Sequence, residues 1–445
     1  MRKIIHQVFK ALLFAVCCAI VVTLYSFNDV KTAIIKTAFE DDVVFAANAQ
    51  TKDALFRQNE KIGYDISVRN NTNELQEGTV GYTIMDLHNK ILNQGSEPIK
   101  LKTKEARELS LHMPAQKFGV YKLNLTINVT DYDDTIRRVF GVDPKKIKSD
   151  TPKPSGFDSF WQDTRDTLAK VPMNATMTLQ PQLSRNGTDC YLVEMKSYEN
   201  ITVRGWLTIK HDRKPKDKFP VWLVVPGYGG VGVKPIFGSN EIAVFSFNVR
   251  GQGNSKDKIN PSRDGYLTTG VENRYKYIYR GAIMDCIRAV DFIFSRPELD
   301  SKNIIISGGS MGGYLAIATA SLDKRIKLCS ANNPVFCDYR NLIGNSDWPM
   351  SDFVKYSRAR RIPMGRILNT LDYFDLKNFS PNLECYSLIG ISMLDNLAPP
   401  YNEFVMLNEI KSKYKLFVYP NLGHEVPPSL FEYLSNWMID QFGLF

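Results

Sequence analysis

From Val221 onward this 445-residue chain alternates short, uncharged, largely apolar runs with helical stretches, and no other feature restricts its fold as strongly. Val221-Trp-Leu-Val-Val225 and Ile242-Ala-Val-Phe-Ser-Phe247 read as parallel strands buried on both faces, because only a sheet covered above and below tolerates continuous apolar runs. Gly281–Ser295 reads as a helix, Asn303–Ser307 as a strand, Met311–Leu322 as a helix and Ile326–Ala331 as a strand. Tyr386–Met393 and Tyr414–Tyr419 extend the sheet, and Ser429–Phe442 closes as an amphipathic helix. Upstream, Phe157–Leu168 is helical, and Tyr191–Ser197 and Thr202–Ile209 are β-runs. The expected class is α/β: a mostly parallel sheet with helices on both faces. Residues 337–380 do not alternate and are expected to lie as an insertion over the carboxyl edge of the sheet.

The preceding hundred residues follow another rule. Tyr121-Lys-Leu123-Asn-Leu125-Thr-Ile127-Asn-Val129 alternates strictly, which puts one face on a core and the other in water. Lys61–Val68, Gly78–Met85 and Glu108–Met113 resemble it, with turn residues between them. An all-β, immunoglobulin-like sandwich over 42–142 is expected. Its histidines, His88 and His112, stand apart and suggest no metal site. Residues 143–155, rich in lysine and proline, read as a linker, and 156–445 as the α/β domain.

Residues 1–30 read as a signal peptide or membrane anchor. Arg2, Lys3 and Lys10 precede an uncharged run, Ala11–Phe27, with no small-residue cleavage site directly after it. That reading makes the protein exported, periplasmic or extracellular, with an uncleaved anchor slightly favoured. Cys17 and Cys18 fall within the run, and the flanking residues do not suit a lipoprotein signal. Cys190, Cys286, Cys329, Cys337 and Cys385 are too widely spaced for a zinc cluster or a disulfide-stapled scaffold.

Gly308-Gly309-Ser310-Met311-Gly312 fits G-x-S-x-G between a predicted strand and a predicted helix. A nucleophile on so sharp a turn needs neighbours without side chains, so Gly308 and Gly312 have a steric role. A serine hydroxyl needs a base, and the base an orienting acid. His424 is the histidine downstream of Ser310 and follows the last strand, while Asp395 follows the strand before it. Glu425 is a weaker acid candidate, since adjacent side chains rarely converge. Backbone N–H groups of Met311 and of Tyr228, in Val225-Pro-Gly-Tyr228-Gly-Gly230, are placed to form an oxyanion hole.

Taken together, Pro226–Gly230, Asn248-Val-Arg250-Gly-Gln252-Gly253, Gly265–Gly270, Gly308–Gly313, Leu394-Asp395 with Pro399-Pro400, and His424-Glu425 resemble the acetyl xylan esterase and cephalosporin-C deacetylase family. The resemblance runs from about Gly156 to Phe445. It implies an α/β-hydrolase fold, an acetylated carbohydrate substrate and the roles given above to Ser310, Asp395, His424, Tyr228 and Met311. It further implies that Arg250 and Gln252 brace the site; a homo-oligomer stays open as an expectation, with the added amino-terminal sandwich placed to obstruct the family's ring-shaped hexamer. One position departs: Met311 stands where the family usually has glutamine.

Two other readings stay open. A serine peptidase of the prolyl oligopeptidase type shares the triad order but normally carries a propeller much longer than this sandwich. A carbohydrate-binding protein on an inactive hydrolase scaffold is the other, and an intact triad argues against it. The net charge of +9 is spread among interleaved acids without a basic stripe, so no nucleic-acid partner is expected. No glycine-rich cofactor loop is convincing, so no cofactor and no metal is expected.

Overall fold

A computed structural model describes residues 42–444, apart from 186, 260, 262 and 344–347. The run Ala11–Phe27 lies outside the described residues, among which no helix is long and apolar enough to cross a membrane. Eight strands come first: β1 (Val43–Ala49), β2 (Leu55–Phe56), β3 (Ile62–Asn70), β4 (Gln76–Met85), β5 (Ile91–Leu101), β6 (Ala106–Met113), β7 (Gly119–Val129) and β8 (Tyr132–Val142). They form two sheets, β1-β3-β6 and β2-β8-β7-β4-β5. The alternation read at Tyr121–Val129 is realised in β7, whose Leu123, Leu125 and Ile127 pack into one core with Val43, Ile66 and Leu111 of the other sheet. The two sheets therefore close on each other as a sandwich.

Nine further strands make one sheet: β9 (Thr176–Leu179), β10 (Thr188–Lys196), β11 (Thr202–Lys210), β12 (Phe219–Val224), β13 (Ala243–Asn248), β14 (Leu299–Gly309), β15 (Leu328–Asn332), β16 (Tyr386–Ser392) and β17 (Tyr414–Tyr419). Their order is β17-β16-β15-β14-β12-β13-β11-β10-β9. Strands β12 to β17 run parallel, and β9 to β11 add an antiparallel edge. All six residues of β13 are buried, as an uncharged run covered on both faces requires.

Helices cover both faces: α1 (Phe157–Ala169), α2 (Ile278–Phe294), α3 (Met311–Leu322), α4 (Pro400–Asn408) and α5 (Ser429–Phe442), with short helices between Tyr339 and Phe379. The period of two along β14 divides the layers. Ile304 and Ile306 pack into the core that holds α2 and α3, while Ile305 points to the opposite face and meets Leu434, Trp437 and Met438 of α5. Every residue of α3 is buried, so its small residues serve close packing against the sheet.

After β12 the chain adds β13 on one side and then returns across β12 to place β14 on the other. Loops leaving the carboxyl ends of β12 and β14 diverge at this reversal and leave a crevice, the place where open α/β sheets bind ligands.

The stretch read as a linker is packed against the α/β unit. Ile147 is buried in its core, and Asn408 donates 2.8 Å hydrogen bonds to the carbonyls of Pro144 and Ile147. Ser149 Oγ donates to Asp338 at 2.6 Å, and Lys377 Nζ to the Thr151 carbonyl at 2.9 Å. Lysines on either side of Ile147 gave the segment its tether-like composition, yet Ile147 itself turns inward. Contacts unite everything from Val43 onward into one unit.

Candidate active site

Ser310 leaves β14 and caps α3 with φ 59° and ψ −123°, a conformation side-chain-bearing residues rarely adopt. Its neighbours hold it there. A Cβ on Gly308 would lie 2.5 Å from the Gly312 carbonyl carbon, and one on Gly312 would lie 2.7 Å from the Val225 oxygen, so both glycines are sterically required. The Ser310 N–H donates to the Asn332 carbonyl at 2.8 Å, which ties the turn to the end of β15.

His424 lies in the loop after β17 and Asp395 in the loop after β16. The structure joins them, with Nδ1 of His424 2.6 Å from Oδ2 of Asp395. The other carboxylate oxygen accepts two backbone N–H groups, from Leu397 and Ala398, each at 2.8 Å. A carboxylate so held keeps the proton of a neutral imidazole on Nδ1 and leaves Nε2 as the basic nitrogen. The Asp395 side chain is fully buried and that of His424 is 23% exposed, so the acid is shielded while the imidazole reaches solvent. Glu425 is exposed. Its carbonyl, however, accepts from Asn333 Nδ2 at 3.1 Å and from Ser392 Oγ at 2.7 Å. The corner Asn332-Asn333 thus holds the serine turn on one side and the histidine loop on the other. The sequence reading missed it, because nothing local marks an asparagine pair that bonds across three loops.

The loop carrying Tyr228 leaves β12 beside the serine turn. Gln252 Oε1 accepts the Gly230 N–H at 2.7 Å, and the Gly253 N–H donates to the Gly230 carbonyl at 3.1 Å, so this loop is braced from the next one. The Tyr228 ring packs on Trp348 and Tyr266, with centroids 5.4 and 6.1 Å away. Met311 is buried, and its sulfur accepts a weak hydrogen bond from the Tyr279 hydroxyl at 3.2 Å.

Arg250 is buried beneath the same loops. Asp285 accepts from its backbone N–H at 2.9 Å and from Nε and Nη2 at 2.8 Å, while Nη2 also donates to the Tyr198 carbonyl at 2.9 Å. Burial works against the guanidinium, but the attraction of Asp285 outweighs it and raises its pKa further, so the charge is permanent. Such a group anchors a loop and does not exchange protons. Glu403 of α4 is a second residue the sequence did not single out. It is buried with both carboxylate oxygens lacking a hydrogen-bond partner, and this burial, reinforced by the negative charge of Asp395, pushes its pKa well above the usual carboxylate range. In sequence it looks like an ordinary acid in the first turn of a helix.

Cys190, Cys286, Cys329 and Cys337 are buried free thiols and Cys385 is half-buried. Among the described residues, no cluster of histidine, cysteine and carboxylates is arranged to hold a metal ion.

A mostly parallel sheet with a strained serine at a strand-to-helix turn at its switch point defines a hydrolase of the α/β class. Residues 143–441 match the acetyl xylan esterase (AXE1) family, and the chain belongs to that family. It is 29% identical over 299 residues to acetyl esterase Axe7A of Xylanibacter ruminicola, a match covering 64% of this chain and 66% of that relative, just under two thirds of the relative's length. The acetyl xylan esterase from Paenibacillus sp. R4 superposes with a TM-score of 0.61 at 26% identity, over 67% of this chain and 98% of that one. Acetyl xylan esterase 1 from Thermoanaerobacterium sp. JW/SL YS485 gives 0.60 at 21% identity over the same shares and shows the common fold.

Proposed function

We propose that this protein is a serine carbohydrate esterase that removes O-acetyl groups from acetylated xylan, xylo-oligosaccharides or related sugars. The observation that carries the reading is the Asp395–His424 pair, held at 2.6 Å on loops that follow neighbouring strands of the sheet that bears Ser310. In this mechanism Ser310 Oγ attacks the acetyl carbonyl while Nε2 of His424 takes the hydroxyl proton. The Met311 and Tyr228 N–H groups stabilise the oxyanion, at about 3 kcal/mol each in comparable sites. Collapse breaks the bond to the sugar oxygen, which leaves with the proton from His424. Water, deprotonated by the same imidazole, then attacks the acetyl-enzyme and releases acetate.

Gly308, Gly312, Arg250 and Gln252 hold this geometry and take no proton. Family membership favours the deacetylase reading over a peptidase or a non-catalytic binder. Export is part of the proposal, and it rests on the run Ala11–Phe27.

Acyl-chain selectivity tests the reading. Each methylene that does not fit the acyl site costs about 1–3 kcal/mol of transition-state binding. Acetyl esters should therefore exceed butyryl esters at least tenfold in kcat/KM, and prolyl peptides should be inert. Faster cleavage of octanoyl esters or of prolyl peptides would overturn the assignment.

A further inference from the structure

A cleft of about 600 Å³ opens where the sandwich meets the α/β unit, within the range of small-molecule sites, about 300–1,000 Å³. Its α/β wall includes Asp395, Trp348 and Tyr401; its sandwich wall includes Leu87, His88, Asn89 and Lys122. Neither Ser310 nor His424 lines it. It borders the candidate triad from the side of the acid, and Trp348 is the shared partition, since the same ring packs 5.4 Å from Tyr228. A ligand there would touch parts of a substrate remote from the bond being broken.

The sandwich wall is a preorganised turn. Asp86 accepts the backbone N–H groups of His88 and Lys90 at 2.9 Å each, and Asp86 and Lys90 close the turn with a 3.0 Å backbone bond. Lys122 Nζ donates to the Leu87 carbonyl and to Asn89 Oδ1, both at 2.9 Å. With its amide oxygen engaged, Asn89 offers N–H groups to a ligand, and the exposed imidazole of His88 stands beside it. Trp348 and Tyr401 line the same cleft. Aromatic rings sharing a cleft with hydrogen-bond donors and acceptors suit a pyranose, which has apolar C–H faces and a rim of hydroxyls.

We infer that this cleft binds the glycan chain flanking the acetylated sugar, so that the sandwich supplies part of the substrate site. The inference rests on the deacetylase reading above. Binding energy gathered there, away from the scissile ester, favours oligosaccharides over small esters.

The test uses the full chain and the double variant His88→Ala/Asn89→Gly; glycine is chosen because Asn89 has φ 65°. Wild type is first assayed on acetylated xylo-oligosaccharide and on p-nitrophenyl acetate. Failure of wild type to deacetylate the oligosaccharide while it cleaves other esters sinks the deacetylase reading, before any variant is considered. Given wild-type activity, the ratio of kcat/KM for oligosaccharide to that for p-nitrophenyl acetate should fall at least tenfold in the variant. Inhibition of p-nitrophenyl acetate hydrolysis by unacetylated xylohexaose should weaken in parallel. An unchanged ratio, whether both activities hold or both drop together, overturns the subsite.

Discussion

At the scale of single residues, the site is built from close approaches that leave no room for substitution. An alanine at Gly312 would press its Cβ against the Val225 oxygen at 2.7 Å and the Pro226 oxygen at 3.2 Å, both at the root of the Tyr228 loop. Gly312→Ala should lower stability by about 1–3 kcal/mol, the usual cost of overpacking, and should reduce kcat with the displaced loop. Thermal unfolding together with initial rates checks this; a variant with wild-type Tm and kcat would show that the loop yields freely.

Asp395→Asn keeps the shape but lets the amide hold the wrong imidazole tautomer, so kcat should drop by about three to four orders of magnitude, as in other triads. Glu403 makes a prediction about pH. Its folded pKa is raised by burial, so the native state favours the protonated acid, while the unfolded chain ionises from about pH 4.3. Stability therefore falls as pH rises from there towards the folded value. Glu403→Met removes that loss, and its advantage over wild type in urea unfolding should grow between pH 5 and pH 8 to about 1–3 kcal/mol. An advantage that stays constant or shrinks with pH would mean the carboxylate has a partner after all.

Among the elements, legibility followed burial symmetry. The uncharged runs that became β12, β13 and β14, and the strict alternation of β7, were read directly, because strands with two covered faces or one leave plain patterns. Strand β5 left none: it is an edge strand, mostly exposed, interrupted by Gly95 and Pro98. Ser310, Asp395 and His424 stand out in the sequence because each was expected just after a strand, and each does follow one, β14, β16 and β17. The Asn332-Asn333 corner, Trp348 and Glu403 act only through partners distant in sequence, so no local signal marked them.

The segment after β8 was misleading for the same reason. Its lysines and prolines resemble a tether, while buried Ile147 and the two bonds from Asn408 make it part of the α/β core. A chain begun at Asp150, the cut its composition invites, loses those contacts. Its Tm should fall well below that of a chain begun at Asp143. Equal Tm values for the two would restore the tether.

Across the whole molecule, the strand order places the serine turn and the Tyr228 loop at one switch point, with Asp395 and His424 on the loops after β16 and β17, beyond β15. The sandwich packs beside that edge, where it supplies a wall to the cleft. The central claim is that this arrangement releases acetate through an ester on Ser310. The most direct measurement is acetate release from acetylated xylan by wild type and by Ser310→Ala, with matched circular dichroism and Tm. Wild type should release acetate and the variant should lose at least a thousandfold of that rate; a folded Ser310→Ala protein that still released acetate at the wild-type rate would contradict an ester on Ser310.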